Sequence, residues 1–354
     1  MPRSCLLCEL TTMRVGGPAD RCVVARDTEE LIAAVVRADR DGTPVLLVGG
    51  GSNLLVADEG FPGTAIRVAS VGFAVESADP CSGVTVRAAA GHDWDDLVRH
   101  AVEQGWAGIE ALSGIPGTVG STPIQNVGAY GQEVAQTIAR VHTWDRAEGR
   151  VCSFAASECG FAYRDSLFKG TDRYVVLEVT FQLDLAGLSR PIVYADLAHE
   201  LGVNVGERLP SAQVRQAVLA QRRDKGMVLD PADHDTWSCG SFFTNPVLTV
   251  AEHAGLSQRA EAVLGPGVTP PGYPAPDGLV KTSAAWLIER AGFAKGYGQP
   301  GPAALSGKHT LAVTNRGHAK AADVIALARV VRDGVRDTFG VELTNEPVLV
   351  GLSL

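Results

Sequence analysis

The sequence has no apolar run long enough to cross a membrane. Its longest stretches, such as Leu31–Val36, fall far short of the ~20 residues that a spanning helix needs. It has no basic excess either: 31 Lys and Arg stand against 40 Asp and Glu, a net charge of −9. That balance argues against a nucleic-acid partner, which needs a basic face, but leaves room for a small anion held by a few local cations. The start of the chain lacks the basic-then-apolar pattern of a signal peptide, so a cytoplasmic protein is expected. A metal framework is missing as well. The eight histidines form no HxxxH or HxxH pair, and Cys5 and Cys8 make a CxxC with no second pair, where structural zinc needs about four ligands. No metal is expected. Seven cysteines, odd in number and scattered, suit reduced thiols better than a disulfide framework, which leaves Cys5 and Cys8 as chance or redox-inert thiols.

Charge is also missing locally. From Ala111 through Gln132 no side chain is charged, and this neutral stretch opens on SGIPGTVGS, Ser113–Ser121, with three glycines and a proline in nine residues. A second glycine cluster, Gly49–Asn53, follows the apolar run Val45–Val48, which reads as a short buried strand. Converging backbone N–H groups can hold a pyrophosphate without cationic side chains, and glycine lets the main chain come close. Two tight turns in a compact core would give the same composition, and glycine content alone does not choose. Two other motifs fail. Gly296–Gly301 matches GxGxxG, but no strand precedes it, and Pro300 and Pro302 disrupt the turn and the helix that should follow. Gly307-Lys308 resembles the end of a P-loop, but His309 stands where Ser or Thr belongs.

At 354 residues, 45% of them hydrophobic, the chain can bury a large core and form two or three domains. Asp27 with Glu30 reads as a capping box for a helix with Leu31, Val35 and Val36 on its apolar stripe and Gly42 as its end. Strands are expected at Thr64–Val68, Val84–Ala90 and, half-exposed, at Arg173–Leu183, with a helix from Trp94 to Gln104. Further on, Ser211 caps a helix running to Arg223, and others span Thr282–Ala291 and Ala321–Phe339, the last with Val324, Leu327, Val331, Val335 and Phe339 on one face. Leu264–Pro276 reads as loop. No internal repeat is evident. The pattern is α+β, a glycine-rich half followed by a helix-richer one.

Six motifs occur in a fixed order: TTMRVGG (Thr11–Gly17), GGGSNLL (Gly49–Leu55), SGIPGTVG (Ser113–Gly120), PIQNVGAYG (Pro123–Gly131), YRDSLFK (Tyr163–Lys169) and GSFFTNP (Gly240–Pro246). Together they closely resemble the UDP-N-acetylenolpyruvoylglucosamine reductase family, flavoenzymes of peptidoglycan precursor synthesis, over nearly the whole chain. The resemblance implies an FAD-binding domain of the vanillyl-alcohol-oxidase (PCMH) type in two α+β lobes, residues 1–70 and 71–208, and an α+β substrate-binding domain, residues 209–354. It implies non-covalent FAD, NADPH as hydride donor, and a small UDP-sugar as substrate, with a monomer as the default state. FAD would be held by Gly49, Gly50, Gly51, Ser52, Asn53, Ser113, Gly114, Ile115, Pro116, Gly117, Gly120, Gln125, Asn126, Gly128, Ala129 and Arg222. By position, the catalytic residues fall on Arg164, Ser241 and Glu346, and the substrate contacts on Tyr163, Tyr194, Lys225, Asn245 and Lys281. Tyr194, in PIVYADL, matches the substrate-covering tyrosine of one subgroup. The terminal NEPVLVG, Asn345–Gly351, departs from the commoner pattern, which has Glu-Val-Arg before its apolar residues.

The implied reaction reduces an enolpyruvyl ether to a lactyl ether. Hydride goes to the terminal carbon C3, leaving negative charge at C2 in conjugation with the carboxylate, and a proton must then arrive at C2. Arg164 suits the carboxylate because a guanidinium stays charged and offers paired donors. Without the motif, an ion pair with Asp165 would be the plainer reading. Ser241 suits the proton only because the intermediate is strongly basic, and Glu346 could polarise the carboxylate or orient a donor. Another FAD oxidoreductase on the same scaffold, or a non-catalytic flavin or nucleotide-sugar binder, remains open at this point.

Overall fold

The computed structural model describes Cys5–Leu354. The described chain divides into two compact units: Cys5, Ala19–Gly51 and Pro62–Val228 make the first, and Leu6–Pro18, Ser52–Phe61 and Leu229–Leu354 the second. The second unit is thus assembled from three separate stretches of sequence.

Among the described residues the first unit holds two larger sheets and the two-stranded pair Gly128–Ala129 and Gln132–Glu133. Strand Val45–Val48 runs parallel to Phe61–Val68 and leads directly into the glycines at 49–51. Helix Thr28–Arg40 covers this sheet. Asp27 Oδ1 accepts from the Glu30 N–H at 2.7 Å as expected, but Glu30 reaches back to the N–H of Arg26, one residue before the cap. Leu31, Val35 and Ala38 are buried, and Leu31 and Val35 pack with Ile66, Val175 and Leu177. Val36 points outward, 43% exposed, because it lies one residue off the 3.6-residue stripe that Leu31, Val35 and Ala38 keep.

The larger sheet runs Arg150–Ala155, Ile138–Asp145, Tyr174–Leu185, Gly83–Ala89, Phe73–Asp79, with antiparallel neighbours throughout. Tyr174–Leu185 is its central strand and most of its residues are buried, so the half-exposed reading of 173–183 does not hold: neighbours cover it on both edges and core packs on both faces. Helix Trp94–Glu103, capped by Asp93, packs Trp94, Leu97, Val98 and Ala101 on this sheet. The unit closes with helices Ala195–Leu201 and Ser211–Asp224, whose Val214 and Val218 meet Ala111, Ile192 and Leu197. Ser211 is the first helical residue rather than the cap, a place taken by Pro210.

In the second unit, helix Ala321–Phe339 is the core element. Val324, Ile325, Ala328, Val331, Val335 and Phe339 are buried against Phe242, Leu256, Leu287 and Leu305, while Leu327 only borders that core. Helix Ala284–Arg290 is shorter at both ends than Thr282–Ala291, since Ser283 caps it. Helix Val250–Leu264 was not anticipated. Its Thr249–Glu252 capping box was a readable signal, but only Leu256 and Ala260 are buried, so no strong apolar stripe announces it. It reaches into the expected loop 264–276, which also contains the short strand Tyr273–Pro274. The GxGxxG segment at 296–301 is a run of turns that feeds the strand Ala303–Leu305, with no helix after it. Lys308 pairs with Asp233 at 2.6 Å.

The cysteine reading needs correction. Cys5 and Cys22, with Cα atoms 6.0 Å apart, form a disulfide, while Cys8 is a free thiol. Cys5 and Cys8 were both expected as reduced thiols, but strand Pro18–Ala25 brings Cys22 to Cys5 from 17 residues away.

Candidate flavin and substrate site

The two glycine clusters of the first unit lie against each other. A Cβ on Gly50 would stand 2.6 Å from Gly117 Cα, and one on Gly49 would stand 2.5 Å from Thr118 Oγ1. The approach of Gly50 to Gly117, backbone to backbone, is open only to glycine. The loop Ser113–Gly117 is tied down along most of its length. Ser113 is fully buried and its Oγ donates to the Glu110 carbonyl at 2.6 Å. The Gly114 N–H donates to Asp95 Oδ1 at 2.6 Å, and Asp95 in turn takes a two-pronged ion pair from Arg215 at 2.6 and 2.8 Å. Trp94 Nε1 donates to the Leu112 carbonyl at 3.1 Å. Gly120 serves packing: its N–H donates to the Ala90 carbonyl, and a Cβ there would collide with Ala90. The N–H groups of Ile115 and Gly117 have no acceptor among the described residues.

Beneath this loop lies Arg222, on helix Ser211–Asp224. A Cβ on Gly114 would meet Leu219 at 2.7 Å and Arg222 Nε at 3.5 Å. Arg222 Nη2 donates to the Met227 carbonyl at 2.8 Å, but its Nε is enclosed without a partner. Burial pushes this guanidinium below its ordinary pKa, against the opposing influence of Tyr130 and Asp95. An enclosed N–H on a charged group is costly unless an acceptor meets it. The Ile115 and Gly117 amides and Arg222 therefore fit an anionic, hydrogen-bond-accepting cofactor such as FAD.

Next comes the segment Gln125–Ala129. Asn126 is buried in the left-handed region, φ 44°. Its Nδ2 donates to Glu133 Oε2 and the Ala162 carbonyl, both at 2.9 Å, and its Oδ1 accepts from the Ala135 N–H at 3.1 Å. Arg164 also has positive φ, 54°, and its Nη2 donates to the Gly128 carbonyl at 2.7 Å. Its guanidinium carbon is 5.3 Å from the Tyr163 ring centre, and its own carbonyl accepts from Lys169 Nζ at 2.6 Å. Arg164 is thus held by neighbouring carbonyls. Two non-glycine residues in a sparsely populated backbone region, packed together, mark a place where the surrounding structure over-determines the conformation.

Tyr194 and Lys225 converge through a residue the sequence reading did not single out. Tyr130, with φ 50°, meets Tyr194 edge-to-face with ring centres 5.5 Å apart, and Lys225 Nζ is 5.9 Å from the Tyr130 centre. Burial raises the Tyr130 phenol pKa, with Arg222 opposing. Its position within PIQNVGAYG was the available signal.

In the second unit, the run from Ser241 to Asn245 lies beside Thr344–Glu346. The Glu346 N–H donates to the Phe242 carbonyl at 2.9 Å, Phe243 bridges Asn345, and the Thr244 N–H donates to the Thr344 carbonyl at 3.0 Å. Ser241 and Glu346 are brought together by this backbone pairing. Asn53, one residue after Ser52, adds a long hydrogen bond from Nδ2 to the Glu346 carbonyl at 3.4 Å. Asn245 Oδ1 accepts from the Ala284 N–H at 2.9 Å, capping that helix, and Lys281 lies opposite Val247 in a short antiparallel pair. Cys239 is buried, its thiol pushed up to about 12 by desolvation, which makes it inert.

Two family profiles match: an FAD binding domain over residues 19–155 and the C-terminal domain of UDP-N-acetylenolpyruvoylglucosamine reductase over residues 230–350. Curated relatives named UDP-N-acetylenolpyruvoylglucosamine reductase include one from Thermobifida fusca, 58% identical over 99% of this chain and 98% of its own, and one from Streptomyces avermitilis, 56% identical over 98% and 94%. The chain belongs to the UDP-N-acetylenolpyruvoylglucosamine reductase family. The crystal structure of a family member from Thermus caldophilus superposes with a TM-score of 0.64 at 26% identity, covering 99% of both chains. Family membership makes this chain a flavin-dependent oxidoreductase that takes FAD and NADPH, on the α+β scaffold described above.

Proposed function

We propose that Arg164, Ser241 and Glu346 perform the residue chemistry of the family reaction, NADPH-dependent reduction of UDP-N-acetylglucosamine enolpyruvate to UDP-N-acetylmuramate for peptidoglycan. When bound, FAD carries the hydride between NADPH and the enolpyruvyl group. The observation that carries the residue assignment is the holding of the Arg164 guanidinium by the Gly128 carbonyl, on a residue whose backbone is itself left-handed. A preset guanidinium stabilises the carboxylate as charge grows on it, without reorganising during the step. Ser241 delivers the proton to C2, and Glu346, beside it on the paired backbone, supports the carboxylate or the donor. Tyr163, Tyr194, Lys225, Asn245 and Lys281 bind the UDP-sugar, with Tyr194 covering it as in the tyrosine subgroup.

The backbone at Ile115 and Gly117, with Gly49–Gly51 opposite, and Arg222 would hold FAD. Ser52, Asn53, Ser113, Gly114, Pro116, Gly120, Gln125, Asn126, Gly128 and Ala129 complete the set, several of them by shaping the loops rather than touching the cofactor. Residues 1–70 and 71–208 act as the FAD lobes and 209–354 as the substrate domain. The acidic balance of the chain speaks against a nucleic-acid partner, and no helix among the described residues is long and apolar enough to span a membrane; a cytoplasmic protein without nucleic-acid or membrane partners, monomeric by default, is the reading carried here. The test is anaerobic mixing of purified holoprotein with NADPH, then with the enolpyruvyl UDP-sugar. Flavin absorbance should bleach and then return, with a lactyl product formed. A yellow protein that never consumes NADPH would refute the reading.

A further inference from the structure

Three segments of the first unit meet on one carboxylate. Glu110 is fully buried. Its Oε2 accepts from the Gly108 N–H at 2.5 Å, and its Oε1 accepts from Gln132 Nε2 and from the Arg190 N–H, both at 2.8 Å. Gln132 Oε1 in turn accepts from the Ala111 N–H at 2.9 Å. A carboxylate taken out of water must have its hydration replaced by donors, and three short N–H contacts do so here. The geometry leaves little freedom to any of the three.

Each segment leads to a part of the proposed site. Residues 111–113 enter the glycine loop. Gln132 belongs to the strand pair Gly128–Ala129 and Gln132–Glu133, whose turn carries Tyr130. Arg190 opens the run to Tyr194, and Val193 packs so closely on Gly131 that a Cβ there would collide with it. The rings of Tyr130 and Tyr194 then meet edge-to-face, with Lys225 over Tyr130. The Arg190 side chain adds contacts to Asp184 at 3.1 Å and to the Gln136 carbonyl at 3.3 Å, on the far side of the same segment.

We propose that Glu110 is a positioning residue for the UDP-sugar. It clasps the Tyr130 turn to the Tyr194 segment, so that the tyrosines and Lys225 are presented as one preformed surface. This rests on the reading that Tyr194 and Lys225 contact the substrate. Binding to a preformed surface avoids the cost of ordering it, so the clasp acts on affinity more than on the chemical step.

The test uses oxidised holoenzyme without NADPH, with UDP-sugar affinity read from the perturbation of the flavin spectrum, alongside FAD affinity, Tm, KM and kcat. Glu110→Gln leaves one donor facing a donor, and Gln132→Met removes only the arm to the Tyr130 turn. Both should weaken UDP-sugar binding about tenfold or more and raise KM accordingly, with kcat and FAD affinity near normal. The swap Glu110→Gln with Gln132→Glu restores the contact between the two side chains and should recover part of the affinity. If Glu110→Gln does not fold, Gln132→Met alone decides. Lys225→Ala and Tyr194→Phe are the references. If neither reference weakens the sugar, the substrate reading fails and the proposal with it. If the references weaken it and the clasp variants do not, or if those variants lose FAD and sugar in parallel with Tm, Glu110 is merely structural and the proposal alone is overturned.

Discussion

Gly50→Ala puts a single methyl group where the two glycine loops touch. That methyl would sit 2.6 Å from Gly117 Cα and 3.2 Å from both its N and its C, and every one of these atoms is backbone. No side chain can rotate away, so the loops must part by roughly 1 Å, the scale of overpacking that costs about 1–3 kcal/mol. Because the parted loops are those proposed to hold FAD, the strain should fall on cofactor affinity, about 5- to 150-fold in Kd. Gly149→Ala is the matched control. Gly149 has φ 62° and nothing within 4 Å of an added Cβ, so alanine there meets only the left-handed backbone cost, about 1 kcal/mol of stability. The assay is fluorescence titration of apoprotein with FAD, paired with thermal unfolding. Gly50→Ala should lose FAD affinity and Gly149→Ala should lose only Tm. Parental FAD affinity in Gly50→Ala, or equal loss in both variants, would refute the reasoning.

Three other variants probe the surrounding charges. Lys225→Ala should weaken UDP-sugar binding, read by flavin perturbation, by about tenfold or more, while NADPH still reduces the flavin at the parental rate. Arg222→Met removes an enclosed guanidinium N–H that has no partner, so apoprotein Tm should change little while FAD affinity falls about tenfold or more. Burial alone would raise the Asp95 pKa, but the hydrogen bonds from Arg215 and Gly114 and the charges of Arg215 and Arg222 outweigh it and hold the carboxyl below its ordinary value. A depressed folded-state pKa contributes stability at neutral pH that is lost as pH falls through the carboxylate range, about 4 and below. Asp95→Asn should therefore lower Tm at pH 7, and the difference should shrink on acidification; a constant difference would contradict the ion-pair account.

How far the sequence carried depended on how local each cause was. Helices Thr28–Arg40 and Ala321–Phe339 were readable because their apolar stripes, and for the first its Asp27 cap, lie within one segment. The glycine clusters were readable as loops, but their mutual contact was not, since it depends on the packing that sets Gly50 against Gly117. Asp95 and Glu110 carry no motif. Both look like ordinary acids until Arg215, Gln132 and the Arg190 N–H arrive from 22 to 120 residues away. The Cys5–Cys22 disulfide was missed for the same reason, since strand pairing brings together two cysteines that had been read as separate reduced thiols. The proposed catalytic set was legible only through resemblance: nothing in the local chemistry of Ser241 distinguishes it from any serine beside a glycine.

The most direct test of the account is stopped-flow measurement of the two half-reactions in Ser241→Ala. Reduction of the flavin by NADPH needs no proton at C2 and should proceed at the parental rate. Reoxidation by the enolpyruvyl UDP-sugar should fall by about 10²–10⁴-fold, the usual weight of a positioned general acid. Ser241→Cys, which keeps a proton at the same position, should recover part of that rate. Equal slowing of both half-reactions, or parental reoxidation in the alanine variant, would contradict the assignment of the proton to Ser241.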